Sequence, residues 1–451
     1  RKKGKVIIVG DVGLNLKRGD FYKKELDLLI STSYGPGRYD ERYEKAGHDY
    51  PYPYVRWTEN RNMEEYLRLL SEKRIDIKSL VEKIYPVSIA SDAYDELRAG
   101  TPKPLVTLLE YSKESVPENR IQISNKRALK NILNVGLIGA GSFAKGTILP
   151  NIDRLKNMYN ICAIASKTGA NAKAVAKRYR ANYATTDYRE VLSDNNIDMV
   201  IISTRHDLHA RIAIEAARAG KGIFLEKPMA LHEKELGELA AVLNDTKVPF
   251  TVGFNRRFSP YIKMVKDCVT KRTNPMMINY QMNASHVSKD HWIFSGEGGG
   301  RNIGEACHIY DIFNFLTGSE VSQITSASLS PKTQQYSSND NFAATIKYAD
   351  GSICNLIYTA LGSKGYQKEG MAVYFDGKVI RMDDYKKMEG YGGCDCSMET
   401  ERQEKGYEEE FAAFAASIKK GEAYSIPIRQ LIQATEMSFA VEAVEKDHNK
   451  I

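Results

Sequence analysis

Residues Gly139-Ala140-Gly141-Ser142-Phe143-Ala144 form a G-x-G-x-x-A run directly after an apolar stretch at 133–138. In that setting the first glycine permits a tight turn and the second lets backbone approach a pyrophosphate. The small Ala144 lets the following helix pack on the strand. Unpaired N–H groups at the helix start then face the phosphates. Later comes Glu226-Lys227-Pro228, again at the end of an apolar stretch. A lysine there lies on the ligand side of an open α/β sheet. A hydroxyl that gives up a hydride must also lose its proton. Lys227 could take that proton if burial and a nearby cationic nicotinamide lowered its pKa. Glu226 could orient the lysine. A solvated surface lysine is the alternative.

A second constellation runs from Gly298 through a triple glycine into an apolar helix whose polar exceptions are Glu305, His308 and Asp311. Their spacing lets adjacent pairs share a face. His308 could hydrogen-bond the reacting hydroxyl and share proton transfer with Lys227. The alternative is a core histidine satisfied by a neighbour. A metal held by Glu305, His308 and a distant His286 or His291 is the weakest of the three readings, and no metal is expected.

Three regions position these residues. Residues 1–111 show strands at 5–10, 25–32 and 105–110, helices at 63–72 and 88–97, and a Tyr/Gly/Pro loop at 33–57. Residues 112–130 are polar and read as a linker. Residues 131–255 alternate strands (133–138, 160–165, 197–203, 222–226, 248–254) with helices (142–157, 170–179, 206–219, 231–244), which implies parallel βαβ units. Residues 256–451 place strands at 275–285, 320–330, 341–348, 352–359, 371–375 and 378–382 without helices between most of them. Asp350-Gly351 and Asp376-Gly377 are hairpin signals there. Helices at 302–316, 407–419 and 428–445 would cover one face. The expected class is α/β: an N-terminal partial α/β segment, a Rossmann domain, and a C-terminal α/β domain with a large, mostly antiparallel open sheet.

The chain has 451 residues, too many for one ordinary domain, with 42% hydrophobic and 27% charged residues. The net charge of +7 mildly favours acidic small molecules. The basic residues are scattered, so nucleic acid is not expected. No apolar run approaches the ~20 residues needed to cross a bilayer, and no secretory signal is seen. The chain starts at Arg1 rather than Met, so it reads as a fragment or processed piece that could lack an upstream region. Cys162, Cys268, Cys307 and Cys354 read as reduced core residues of a cytoplasmic protein. Cys394 and Cys396 form a Cys-x-Cys read as incidental, because no second ligand pair exists.

From about residue 134 onward the chain resembles the glucose–fructose oxidoreductase/inositol dehydrogenase/rhizopine catabolism (Gfo/Idh/MocA) family. The carrying motifs are Gly-Leu-Ile-Gly-Ala-Gly at 136–141 and Ser203-Thr204-Arg205-His206-Asp207-Leu208-His209. Ala-Gly-Lys-Gly-Ile-Phe-Leu-Glu-Lys-Pro at 219–228, Gly253-Phe-Asn-Arg-Arg-Phe258 and the Gly-rich helix holding His308 complete the set. The resemblance implies hydride exchange with a sugar, nucleotide-sugar or cyclitol hydroxyl, a small-molecule carbohydrate partner and a homo-oligomer. It implies Gly139, Gly141, Ser142, Phe143 and Ala144 at the pyrophosphate, and Ser203, Thr204, His209 and Glu226 around the ribose and nicotinamide. Lys227 and His308 take the catalytic roles.

Many members have Pro-Asn where this chain has Arg205-His206, and Asp where it has Gly304. The acid beside Lys227 is therefore open, with Glu305 the candidate. Ser166-Lys167 ends the second strand without the carboxylate that favours NAD, so of NAD and NADP the latter is slightly favoured. Arg256 and Arg257 read equally as substrate contacts or core braces. Residues 1–111 resemble, more weakly, the C-terminal end of a medium-chain, zinc-type alcohol dehydrogenase, through Gly4–Gly13 and Ala93–Leu97. A two-part bacterial oxidoreductase of this order is associated with polysaccharide biosynthesis. Rival readings are an NAD-dependent glycosidase working by transient oxidation and a non-catalytic cofactor sensor.

Overall fold

The computed structural model describes residues 1–99, 102–111, 119–124, 131–333 and 335–448. The chain divides into two compact units, Arg1–Val116 and Pro117–Ile451.

The first unit holds two parallel strand pairs, Lys5–Ile8 with Asp27–Ile30 and Val81–Pro86 with Val106–Glu110. Strand Val81–Pro86 was not expected from sequence, because Glu82, Lys83 and Pro86 break its apolar pattern. Helix Glu59–Ser71 has no buried residue, and Ile7, Ile30, Tyr39 and Tyr54 are exposed. Two-stranded pieces with so little burial have little stability of their own.

In the second unit, strand Leu133–Ile138 is the centre of a seven-stranded sheet. Tyr159–Ala165 and Tyr183–Thr185 lie on one side of it; Met199–Ile202, Gly222–Leu225 and Phe250–Val252 lie on the other, all parallel. This is the doubly wound order 3-2-1-4-5-6. Met199–Ile202 and Gly222–Leu225 are buried throughout, as strands covered on both faces must be. The edge is closed by Arg120–Gln122, which runs antiparallel to Tyr183–Thr185. These residues fall in the segment read as a linker. All three are exposed, so their polarity concealed a strand, and Arg120 lies 3.6 Å over the Tyr183 ring. The rest of that segment, 112–118 and 125–130, lies outside the described residues.

The chain then builds an eight-stranded sheet. Its order is Val321–Ser328, Phe342–Tyr348, Ile353–Thr359, Met277–Asn283, Glu369–Phe375, Lys378–Asp383, Lys387–Tyr391 and Met398–Glu399. Only the pairing of Met277–Asn283 with Ile353–Thr359 is parallel. Phe342–Tyr348 alternates buried and exposed positions, so one face is covered and one is open. Helices Cys307–Thr317 and Ile428–His448 pack together, and the latter also packs on strand Val321–Ser328. Helix Tyr407–Lys419 crosses back to the first sheet, where Phe411 stacks on Phe224 at 4.4 Å.

Helix Pro260–Val269 was missed by periodicity, although Ser259 caps it and proline starts it. The cysteine reading also needs correction. Cys268 and Cys396 are joined as a disulfide, and the Cys394 sulfur lies beside them. A separation of 128 residues hid this meeting of helix end and loop. Among the described residues no helix is long and apolar enough to cross a membrane.

Candidate active site

The first and fourth strands of the doubly wound sheet lie side by side where the strand order reverses, and ligands bind in the crevice outside their carboxyl ends. Gly139 closes the first strand with φ +99°, and an added Cβ would lie 2.5 Å from the Ser203 carbonyl oxygen. The Ser203 hydroxyl donates to the Gly139 carbonyl at 2.6 Å. A Cβ on Gly141 would meet nothing within 4 Å, so the backbone there is open to an approaching group. Gly141, Ser142 and Phe143 are exposed while Ala144 is buried against the sheet. Ser166 accepts from the Asn171 amide at 3.0 Å, and the same amide reaches the Ala140 carbonyl. Lys167 is exposed. An open glycine turn at a helix start fits a nucleotide pyrophosphate.

Below this turn lies a cavity of about 380 Å³ whose walls include Phe143, Glu226, Lys227, Trp292, Glu305 and His308. The Lys227–Pro228 peptide is cis. The Lys227 Nζ donates to the Gly304 carbonyl at 2.7 Å. Gly304 sits in a π-helical turn, Asn302–Ala306, that leads into helix Cys307–Thr317. A second such turn, Ala144–Ile148, interrupts the helix after the glycine run. Wide turns of this kind are frequent at functional sites.

His308 is buried in the cavity wall, and its Nδ1 has no hydrogen-bond partner. Burial holds its pKa well below the usual histidine value, with Arg256 and Lys227 adding to the effect. Burial thus favours the neutral ring, whose Nδ1 is enclosed and unpartnered. Glu226 is pushed up to about 7 by burial. Glu410, on the helix that crosses back, is also raised by burial and by the repulsion of Glu226.

The remaining expected residues separate into those at the cavity and those behind it. Glu305 lines the cavity but is not paired with Lys227. It turns the other way, accepting from Arg301 at 3.0 Å, Lys368 at 2.7 Å and Tyr358 at 2.6 Å. Burial alone would raise its pKa, but Lys368 and Arg301 hold it far below the usual range. His209 does not line the cavity. It is buried, and its Nδ1 bonds the Pro228 carbonyl at 2.8 Å, fixing the turn that carries Lys227. The Thr204 hydroxyl donates to the next carbonyl, that of Arg205, at 3.1 Å. Arg256 lines the cavity and forks onto Glu369 at 2.8 and 2.9 Å, whereas Arg257 lies behind it and pairs with Asp311. Asp311 is thereby unavailable to His308.

Two family models match the chain: "Oxidoreductase family, NAD-binding Rossmann fold" over residues 133–254, and "Oxidoreductase family, C-terminal alpha/beta domain" over 273–450. The chain belongs to the Gfo/Idh/MocA oxidoreductase family. It is 27% identical over 293 residues to the uncharacterized oxidoreductase YrbE of Bacillus subtilis, covering 63% of this chain and 85% of that protein. It is 32% identical over 193 residues to inositol 2-dehydrogenase of Rhizobium meliloti, covering 42% and 56% respectively. Among solved structures, levoglucosan dehydrogenase in complex with NADH and levoglucosan superposes with a TM-score of 0.61. That likeness covers 70% of this chain and 97% of the other at 22% identity, so it is one of fold.

Within the Gfo/Idh/MocA frame, this chain's two departures meet in space. A Cβ on Gly304 would lie 3.0 Å from Cε1 of His206. The His206 Nδ1 bonds the Gly298 carbonyl at 2.8 Å, and its ring meets Trp292 edge-on at 4.9 Å. Arg205 lies 4.0 Å over the same indole and pairs with Glu297. Burial and then Lys227 lower the His206 pKa to about 3, so it is neutral. Sequence reasoning noted Arg205-His206 only as a mismatch. It missed His206, Trp292, Lys368 and Lys405 as cavity residues. The paired mismatch at 206 and 304 was the available signal.

Proposed function

We propose that this chain exchanges a hydride between NAD(H) or NADP(H) and a hydroxyl-bearing carbon of a sugar or cyclitol. The observation that carries this reading is the meeting of Lys227 and His308 in one cavity beneath an open glycine turn. When bound, the nicotinamide supplies the hydride acceptor or donor. Gly139, Gly141, Ser142 and Phe143 hold the pyrophosphate. Lys227, as the neutral amine, receives the hydroxyl proton at Nζ, and its bond to the Gly304 carbonyl aims that atom. The neutral His308 hydrogen-bonds the same hydroxyl and fixes its direction. Glu305 stays ionised and orients Lys368 and Arg301 rather than moving a proton. For the nucleotide, the Ser166-Lys167 end of the second strand favours NADP slightly, since no carboxylate there opposes a 2′-phosphate.

The wall charge narrows the substrate. Arg256 and Lys405 share Glu369, and Arg301 and Lys368 share Glu305, while Glu226 is the further carboxyl of the wall. Basic groups thus outnumber fixed carboxylates, which favours a sugar carrying a carboxylate or phosphate. The test is reduced-nicotinamide absorbance with NAD and NADP against neutral sugars, cyclitols, uronic acids and UDP-sugars. Turnover strongest on an anionic sugar supports the reading. Absence of both nucleotide binding and turnover overturns it.

Residues 1–111 take no part in this chemistry in our reading. They act as a structural segment related to a medium-chain dehydrogenase.

A further inference from the structure

We propose that Cys268, Cys394 and Cys396, when reduced, form a thiolate site for one zinc ion. The ion would clasp helix Pro260–Val269 to the loop that follows strand Lys387–Tyr391. Their three sulfurs lie within 4.8 Å of one another. Zinc holding thiolates tetrahedrally at about 2.3 Å separates them by about 3.8 Å, inside that spread. In the structure two of the three are joined as a disulfide and Cys394 is free and half-buried beside them. A disulfide needs two cysteines; this cluster assembles three, from positions 128 residues apart and from a Cys-x-Cys turn.

The donor set selects the ion. Sulfur ligands alone suit zinc and disfavour magnesium or calcium. Three thiolates around Zn²⁺ leave one negative charge. With three protein ligands, the fourth coordination place would fall to water. None of the three cysteines lines the Lys227 cavity, so the site stands or falls apart from the oxidoreductase reading. Conversion between the forms balances simply. A phosphine and one water reduce the disulfide to two thiols, with the phosphine leaving as its oxide. Zinc binding then releases the thiol protons.

The test uses the intact chain under oxygen-free conditions, treated with a phosphine that is then removed. Zn²⁺ is titrated against a chromophoric chelator and reactive thiols are counted. The expected result is one zinc per chain and three fewer reactive thiols. Loss of an outer-shell group costs 10–100-fold in metal affinity, so loss of a ligand in Cys394→Ser should weaken binding by at least about 100-fold. Cys394→Ser keeps the disulfide pair, and thermal unfolding shows whether it folds. Cys268→Ser gives the same reading if it does not. Cobalt in place of zinc should show thiolate-to-metal charge-transfer absorption. No zinc taken up by reduced protein, undiminished binding by both variants, or a disulfide that survives the phosphine would each overturn the proposal.

Discussion

The side chain that Gly304 lacks would point at His206, 3.0 Å from its Cε1. His206 starts a 3-10 turn after the fourth strand and Gly304 lies in the π-helical turn before helix Cys307–Thr317, and their contact fills the space beside Lys227. An imidazole from the Rossmann domain stands there in place of a side chain from residue 304. The coupling is testable by a double-mutant cycle. Gly304→Asp alone should lower kcat/KM roughly tenfold or more by pushing His206 off Gly298 and Trp292. Adding His206→Asn should recover most of that loss. Additive effects of the two substitutions would mean that the residues act independently.

Glu305 offers a contrast between lining a site and reacting in it. Its carboxylate accepts three hydrogen bonds. Glu305→Gln should destabilise the fold by about 1–3 kcal/mol, because Arg301 loses its charge partner in a buried place. The pH profile of kcat should keep its shape. A lost limb in that profile would make Glu305 a proton carrier after all.

Glu226 gives a pH dependence of known sign. Its pKa rises from the ordinary 4.5 to about 7 on folding because of burial. Between those values the folded state holds more protons than the unfolded one, so stability falls as pH rises. The loss is at most about 3 kcal/mol across the window. Glu410 shifts in the same direction. Melting temperature should therefore drop from pH 5 to pH 7.5 more steeply in the wild type than in Glu226→Gln. Equal slopes would remove Glu226 as the source.

Cofactor choice rests on the end of the second strand. Ser166→Asp places a carboxylate where a ribose hydroxyl would bind and a 2′-phosphate would be repelled. Fluorescence titration should show NADPH binding weakened about tenfold or more, with NADH changed much less. Parallel changes for both nucleotides would mean that Ser166 does not face the ribose.

These particulars show what the sequence could and could not reveal. Strands buried on both faces, such as Met199–Ile202, announce themselves as unbroken apolar runs, so the doubly wound sheet was legible. Asp350-Gly351 and Asp376-Gly377 likewise marked real hairpins between paired strands. The edge strand Arg120–Gln122 was not legible, because an exposed edge needs no apolar pattern. Within the site, Lys227 and His308, singled out by motif, both line the cavity. The direction taken by Glu305 was not, because it depends on Lys368 and Tyr358, over fifty residues away in sequence. Arg257 read equally as a ligand or a brace until Asp311 appeared opposite it. Pairings across the fold carry no local signature.

The central claim is that Lys227 takes the proton while the cavity holds the hydride acceptor. Lys227→Met tests it, because methionine keeps the length of the side chain and removes its base. Nucleotide binding is followed by titration, and turnover by nicotinamide absorbance, on the sugar that the wild type oxidises. The account predicts nucleotide affinity within about threefold of wild type and kcat reduced by about 10²-fold or more. Normal turnover by Lys227→Met would contradict it.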